Sequence, residues 1–169
     1  MNKILICLMF LILSNNLYSQ VVLGQFLETW RGTYEVSYEV KGGLAPGIAK
    51  EILTINGIHK DMYLQMHRIG WMSEDSAGLN WSSDEFLTVD PEKMKIVGVW
   101  IDDNGGSWFG RISGDPAEGN KISYLIKSRE QTFTETWELK DNKLDWKTSN
   151  KDKETGKDMV SEAVFTKKK

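Results

Sequence analysis

Cysteine, histidine and proline are scarce: the 169 residues hold one, two and three of them. The one cysteine, Cys7, sits inside an apolar N-terminal run, Ile4–Leu13. Without that run the chain has no thiol, which excludes a disulfide, a thiolate nucleophile and a cysteine-bound metal. His59 and His67 stand at no spacing to carboxylates that forms a metal signature. No structural zinc, other metal or cofactor is expected. Long apolar runs are missing too: Ile4–Leu13 is the longest, about half of the roughly twenty residues that a membrane-spanning helix needs. No excess of basic charge exists, so nothing draws the chain to nucleic acid. The terminal Lys167-Lys168-Lys169 is a local exception, read as a solvated end. Nucleophile-elbow serines and phosphate-binding glycine loops are likewise absent.

Met1–Gln20 has the layout of a secretory signal peptide: Lys3, then the apolar run, then the polar Ser14–Ser19. Cleavage is expected beside Ser19 or Gln20. Cys7 as a lipid attachment site is set aside because so few residues precede it. The expected product is a soluble periplasmic or secreted protein, residues 21–169, forming one domain. Losing Lys3 shifts its net charge from −3 to −4. About 150 residues can bury roughly two-thirds of their unfolded-chain surface.

Short alternating runs fill this part. In Tyr34–Val40, Tyr34, Val36, Tyr38 and Val40 share one face and Glu35, Ser37 and Glu39 the other. Similar runs follow at Ile48–Ile55, Met62–Ile69, Trp81–Val89, Met94–Asp102, Ser107–Ser113, Lys121–Ser128, Thr132–Leu139, Leu144–Thr148 and Met159–Thr166. Turn residues separate them, among them Asn56-Gly57, Asp90-Pro91, Asp103–Gly106 and Asp141-Asn142. Only Val22–Thr29 suits a short turn of helix. Short connections make sequence neighbours spatial neighbours. The expected fold is all-β: an antiparallel up-and-down barrel of eight to ten strands, with at most a short N-terminal helix.

Leu27–Tyr34 contains Trp30-Arg31-Gly32, which resembles the opening tryptophan-any-glycine signature of lipocalin-like barrels. Phe86–Asp90 and Ile96–Asp102 resemble the central segment of a bacterial lipocalin-like (calycin-type) domain family of unknown function, the 1579 family. The likeness spans residues 25–166 in strand order and rests on Trp30, Gly32, Asp90, Gly98, Trp100 and Asp102. It implies a calycin-type barrel and carries over no catalytic residue. Haem-binding barrels of the nitrobindin type use a histidine near the C-terminus; this chain has none after His67, so haem is disfavoured.

Several residues are candidates for ligand contact. Glu135 shares a face with Phe133, Trp137 and Leu139; a carboxylate there must pair, accept hydrogen bonds or rise in pKa. Arg111, Arg129 and Arg68 are its candidate partners. Such an arginine either completes a structural ion pair or grips a ligand carboxylate, as in fatty-acid-binding barrels. His67 suits a base or a metal ligand, or simply a hydrogen-bonded or surface residue of the wall, and His59 a solvated turn. Tyr124 lies on the stripe of Ile122 and Ile126. Trp30 and Trp100 suit barrel closure or core, while Trp71, Trp81 and Trp108, near strand ends, suit a mouth. Asp102–Gly105 and Asp152–Asp158 read as turns and not as calcium loops.

The expectation is an exported barrel binding a small apolar or amphipathic ligand in its interior. The alternatives are an enzyme using His67, Glu135 or Asp102 as acid or base in the same cavity, and a filled barrel that binds partners.

Overall fold

The computed structural model describes residues 26–40, 47–72, 80–90, 92–103, 108–115, 119–129, 131–151 and 155–169. The expected signal peptide, the loop from Lys41 to Pro46 and the core of both acidic turns (104–107 and 152–154) lie outside the described residues.

One short helix, α1 (residues 26–30), precedes ten strands. These are β1 (Gly32–Val40), β2 (Gly47–Ile58), β3 (Tyr63–Met72), β4 (Asn80–Asp90) and β5 (Lys95–Asp102). They continue as β6 (Trp108–Gly114), β7 (Lys121–Ser128), β8 (Thr132–Lys140), β9 (Lys143–Lys151) and β10 (Asp158–Lys167). Each strand pairs antiparallel with its sequence neighbour, and β10 returns to β1 to close the barrel. The expected up-and-down lipocalin-like barrel is present, with ten strands.

Period-two patterning causes this arrangement. In β7, Ile122, Tyr124 and Ile126 are buried while Lys121, Ser123, Leu125 and Lys127 are exposed. A one-residue slip would put both lysines inside, so the register is strongly fixed. Asp141 and Asn142 both have positive φ, 49° and 63°, which suits a two-residue hairpin between β8 and β9.

Asn56-Gly57 does not turn the chain. β2 runs on to Ile58, and the reversal falls on His59, Lys60 and Asp61, with φ of 51°, 59° and 61°. Gly57 is needed for space instead: a Cβ there would meet the Asp61 carboxylate and come within 2.9 Å of Leu27 Cδ1. Trp71 and Met72, expected in a loose connection, belong to β3.

The helix closes one end. Phe26, Leu27 and Trp30 are buried there, with the Phe26 and Trp30 rings edge to face at 5.0 Å. The Tyr34 hydroxyl donates to the Trp30 carbonyl at 2.8 Å, and burial pushes its pKa up to about 12. Behind this cap, Leu53, Ile55, Leu64, Leu87, Leu144 and Phe165 fill the barrel. Burying each such side chain is worth about 1.5–3 kcal/mol.

The wall is uneven. β1 and β2 pair from Gly32↔Ile55 to Val40↔Gly47, but β1 meets β10 only at Tyr34↔Lys167 and Glu35↔Thr166. Lys168 adds a backbone bond to Thr33 at 2.8 Å.

Candidate functional site

Midway along the barrel the apolar filling gives way to a polar layer. Glu51 of β2, Arg68 of β3, Glu85 of β4, Tyr124 of β7 and Glu135 of β8 all point inward and are buried. Each takes its place by strand parity with apolar neighbours: Glu51 with Leu53, Arg68 with Met66, Glu85 with Leu87, Glu135 with Trp137.

Arg68 Nη2 donates to Glu51 Oε2 at 2.7 Å, and Nη1 stands 3.7 Å from Glu135 Oε1. Its guanidinium also lies over aromatic rings, 4.4 Å from the centre of Trp146, 5.3 Å from Trp81 and 5.6 Å from Trp137. Burial alone would depress the guanidinium. The charges of Glu51 and Glu135 outweigh it and hold Arg68 above its ordinary value. Arg68 is therefore permanently cationic and already neutralised from within.

The second half of the layer is a hydrogen-bonded relay. The Trp137 indole donates to the Tyr124 hydroxyl at 2.9 Å and to Glu135 Oε2 at 3.1 Å. Tyr124 in turn donates to Glu85. Burial raises the Glu85 pKa well above the ordinary carboxyl value, and repulsion from Glu135 raises it further; the bond from Tyr124 and the charge of Arg68 oppose this. Glu85 therefore favours its protonated form more than an exposed glutamate does. Tyr124 is also held far above its usual value, by burial and then by the charges of Glu85 and Glu135. Among the described residues, three buried polar atoms have no hydrogen-bond partner: Arg68 Nε, Glu85 Oε1 and Trp146 Nε1.

Beyond this layer, away from the helix, the barrel is hollow. A cavity of about 430 Å³ has Glu51, Arg68, Glu135 and Trp146 among its lining residues, within the size range of small-molecule sites. Trp81, Trp100, Phe133 and Met159 add apolar lining. Ser83, Asp102, Gln131, Thr148, Asn150 and Ser161 complete it with polar groups. Trp100 and Phe133 meet edge to face at 5.4 Å. Gly70 seats Trp81, since a Cβ on Gly70 would run into the indole. A larger groove, about 820 Å³, crosses the outer wall past Leu125, Lys127, Lys147 and Val160, but none of its lining residues is buried.

The structure brings together Glu135, Arg68, Tyr124 and Trp81 among the sequence-derived candidates. The others lie elsewhere. Arg111 is exposed on the outer face opposite Lys127, and Arg129 is exposed after β7, so neither is the partner of Glu135. His67 also faces outward, its Nδ1 3.0 Å from Asp84 Oδ1, to which Gln65 donates at 2.8 Å. The outer face of β3 carries Trp71 too, with Lys50 Nζ 5.2 Å from its ring centre. Trp108 is the first residue of β6, opposite Asp102; its side chain lies outside the described residues. Trp30 closes the capped end, whereas Trp100 is both buried and part of the cavity wall.

Sequence reasoning missed Glu51, Glu85, Trp137 and Trp146 as parts of the site. The signal existed: Trp81, Ser83, Glu85, Leu87 and Val89 alternate on one face of β4.

Among the described residues no group of histidines, cysteines and carboxylates is arranged to hold a metal, and no helix is long and apolar enough to cross a membrane. No protein-family model matches the chain, and no curated protein matches it.

Proposed function

We propose that this protein is an exported binding module, periplasmic or secreted, that holds a small amphipathic molecule in the open half of its barrel. The supporting observation is the cavity itself: aromatic side chains on its walls, with Arg68, Glu51 and Glu135 fixed at its inner end. Ligand sites join apolar walls to oriented polar groups, and most of the described residues lining this cavity are of the polar kind. The lipocalin-like resemblance of Trp30, Gly32 and Trp100 agrees with this reading.

The alternative of an enzyme using His67, Glu135 or Asp102 as acid or base loses His67, while Glu135 and Asp102 line the same cavity. General acid–base chemistry needs groups converging on one atom, and His67 lies across the wall from Glu135.

Native mass spectrometry of protein purified from its source, with tryptophan quenching by lipid, sterol and tetrapyrrole panels, tests the proposal. Retained mass or saturable quenching is expected. A barrel that carries nothing and responds to no panel member overturns it.

A further inference from the structure

The cavity wall loses its cover toward one seam. Strand pairing sets Glu135 opposite Thr148 and Thr148 opposite Ser161, so the three stand at one depth on the inner faces of β8, β9 and β10. Glu135 is buried, Thr148 half-buried and Ser161 exposed. One step toward the open half, Phe133 and Asn150 are half-buried and Met159 is 47% exposed. Every residue of these two rows lines the cavity. One step toward the base, Trp137, Trp146 and Ala163 are all buried. Water therefore reaches the cavity from the β10 side, down to the depth of Glu135.

The pairing explains the direction. β10 pairs with β9 from Asp158↔Lys151 to Thr166↔Lys143, and β1 with β2 from Gly32↔Ile55 to Val40↔Gly47. Among the described residues, β1 and β10 share only Tyr34↔Lys167 and Glu35↔Thr166. Above these pairs each strand keeps one edge with no strand beside it, where a closed barrel leaves none. The β10 lip of the gap is also apolar on both faces: Met159 inside, Val160 and Val164 outside, all about half exposed.

Resting on the binding reading above, we propose that the cavity is entered from the side, through a slot between β1 and β10 that closes by extending the pairing already joining them. The register of Glu35↔Thr166, carried on, sets Ser37 opposite Val164, Glu39 opposite Glu162 and Val40 opposite Ser161. An apolar body passing the wall exchanges water for the Met159 side chain on its way in.

Two variants of the full mature chain test this; with Cys7 removed, that chain has no thiol of its own. Ser161→Cys puts a lone thiol in the slot, and it should react with dithiobis-nitrobenzoate nearly as fast as a fully exposed thiol. A rate typical of a buried thiol overturns the slot. Glu39→Cys with Glu162→Cys sets a cross-link at the same height. Glu162 gives up only an exposed ion pair with Lys147, of little worth to stability, and circular dichroism would confirm the fold. Oxidation should form the bond. Entry of the neutral apolar dye N-phenyl-1-naphthylamine, followed by stopped-flow fluorescence, should then slow by about tenfold or more and recover on reduction. A pair that does not oxidise, or an oxidised barrel that fills as fast as the reduced one, overturns the slot while leaving the cavity as a binding site. A panel member that binds where the dye does not takes its place in the same comparison. If neither the dye nor any panel member binds, the binding reading falls and this inference with it.

Discussion

The Arg68 guanidinium lies between Glu51 Oε2, 2.7 Å away, and the Trp146 ring, whose centre is 4.4 Å away. One side chain thus joins the ion pair at the base of the cavity to the aromatic wall above it. Buried pairs of this kind add little net stability, because desolvation consumes most of the attraction. Removing one partner is far more damaging.

Arg68→Met should accordingly cost about 3–5 kcal/mol in urea unfolding, since Glu51 and Glu135 would stay buried without a counter-charge. Arg68→Met combined with Glu51→Gln should recover much of that loss. A single variant as stable as the parent would show that the pair is not buried as described.

Glu85 gives stability a defined pH dependence. Its folded pKa lies well above the ordinary 4.5. Between those two values the folded state keeps a proton that the unfolded chain has released. Stability from this group is therefore complete below the unfolded value and is lost as pH rises through the folded one. Glu85→Gln imitates the neutral carboxyl and should remove that decline. The urea midpoint of E85Q relative to the parent should rise as pH increases above about 4.5. Parallel curves for the two proteins would contradict the assignment.

Gly70 makes room for the Trp81 indole. Gly70→Ala should force the ring aside and cost about 1–3 kcal/mol, as overpacking usually does. Trp81 would lose its place 5.3 Å from Arg68, so near-ultraviolet circular dichroism should change along with stability. An unchanged spectrum would mean that the ring is not seated there.

The meeting of β1 and β10 is the sparsest pairing in the wall. Its few shared bonds lead to an expectation for amide hydrogen exchange. β10 amides from Met159 to Val164 that face β1 should exchange sooner than the β2–β3 amides, which pair from Ala49↔Met72 to Ile58↔Tyr63. Uniform protection around the barrel would refute this.

The fold was legible because alternation survives wherever a strand has one wet face and one dry face. Lys121–Ser128 shows this cleanly, and its boundaries agree between sequence and structure. The site was legible only in part. Glu135 stood out because threonines mark its opposite face. Glu51 and Glu85 did not, since a glutamate in a mixed strand reads as solvated unless the parity is followed through to Leu53 or Leu87. Choosing among arginines required knowing which strands face one another across the interior. Arg68 meets Glu135 from five strands away, a separation that no local pattern encodes. Asn56-Gly57 misled because turn chemistry and tight packing favour the same residue; contact with Leu27 of the helix decides between them.

The polar layer at Arg68 has a consequence for how this chain can change. Strands β2 to β5 and β8 to β10 each contribute one end to a solid base and the other to a hollow upper chamber, so each carries two different assignments along its length. Substitutions at Trp81, Thr148 or Met159 can reshape what the chamber accepts while Leu53, Leu144 and Phe165 go on holding the barrel shut beneath it. Under the proposed binding role, the lining is free to diverge without cost to the base, and Arg68, with its glutamates, marks the boundary where that freedom stops.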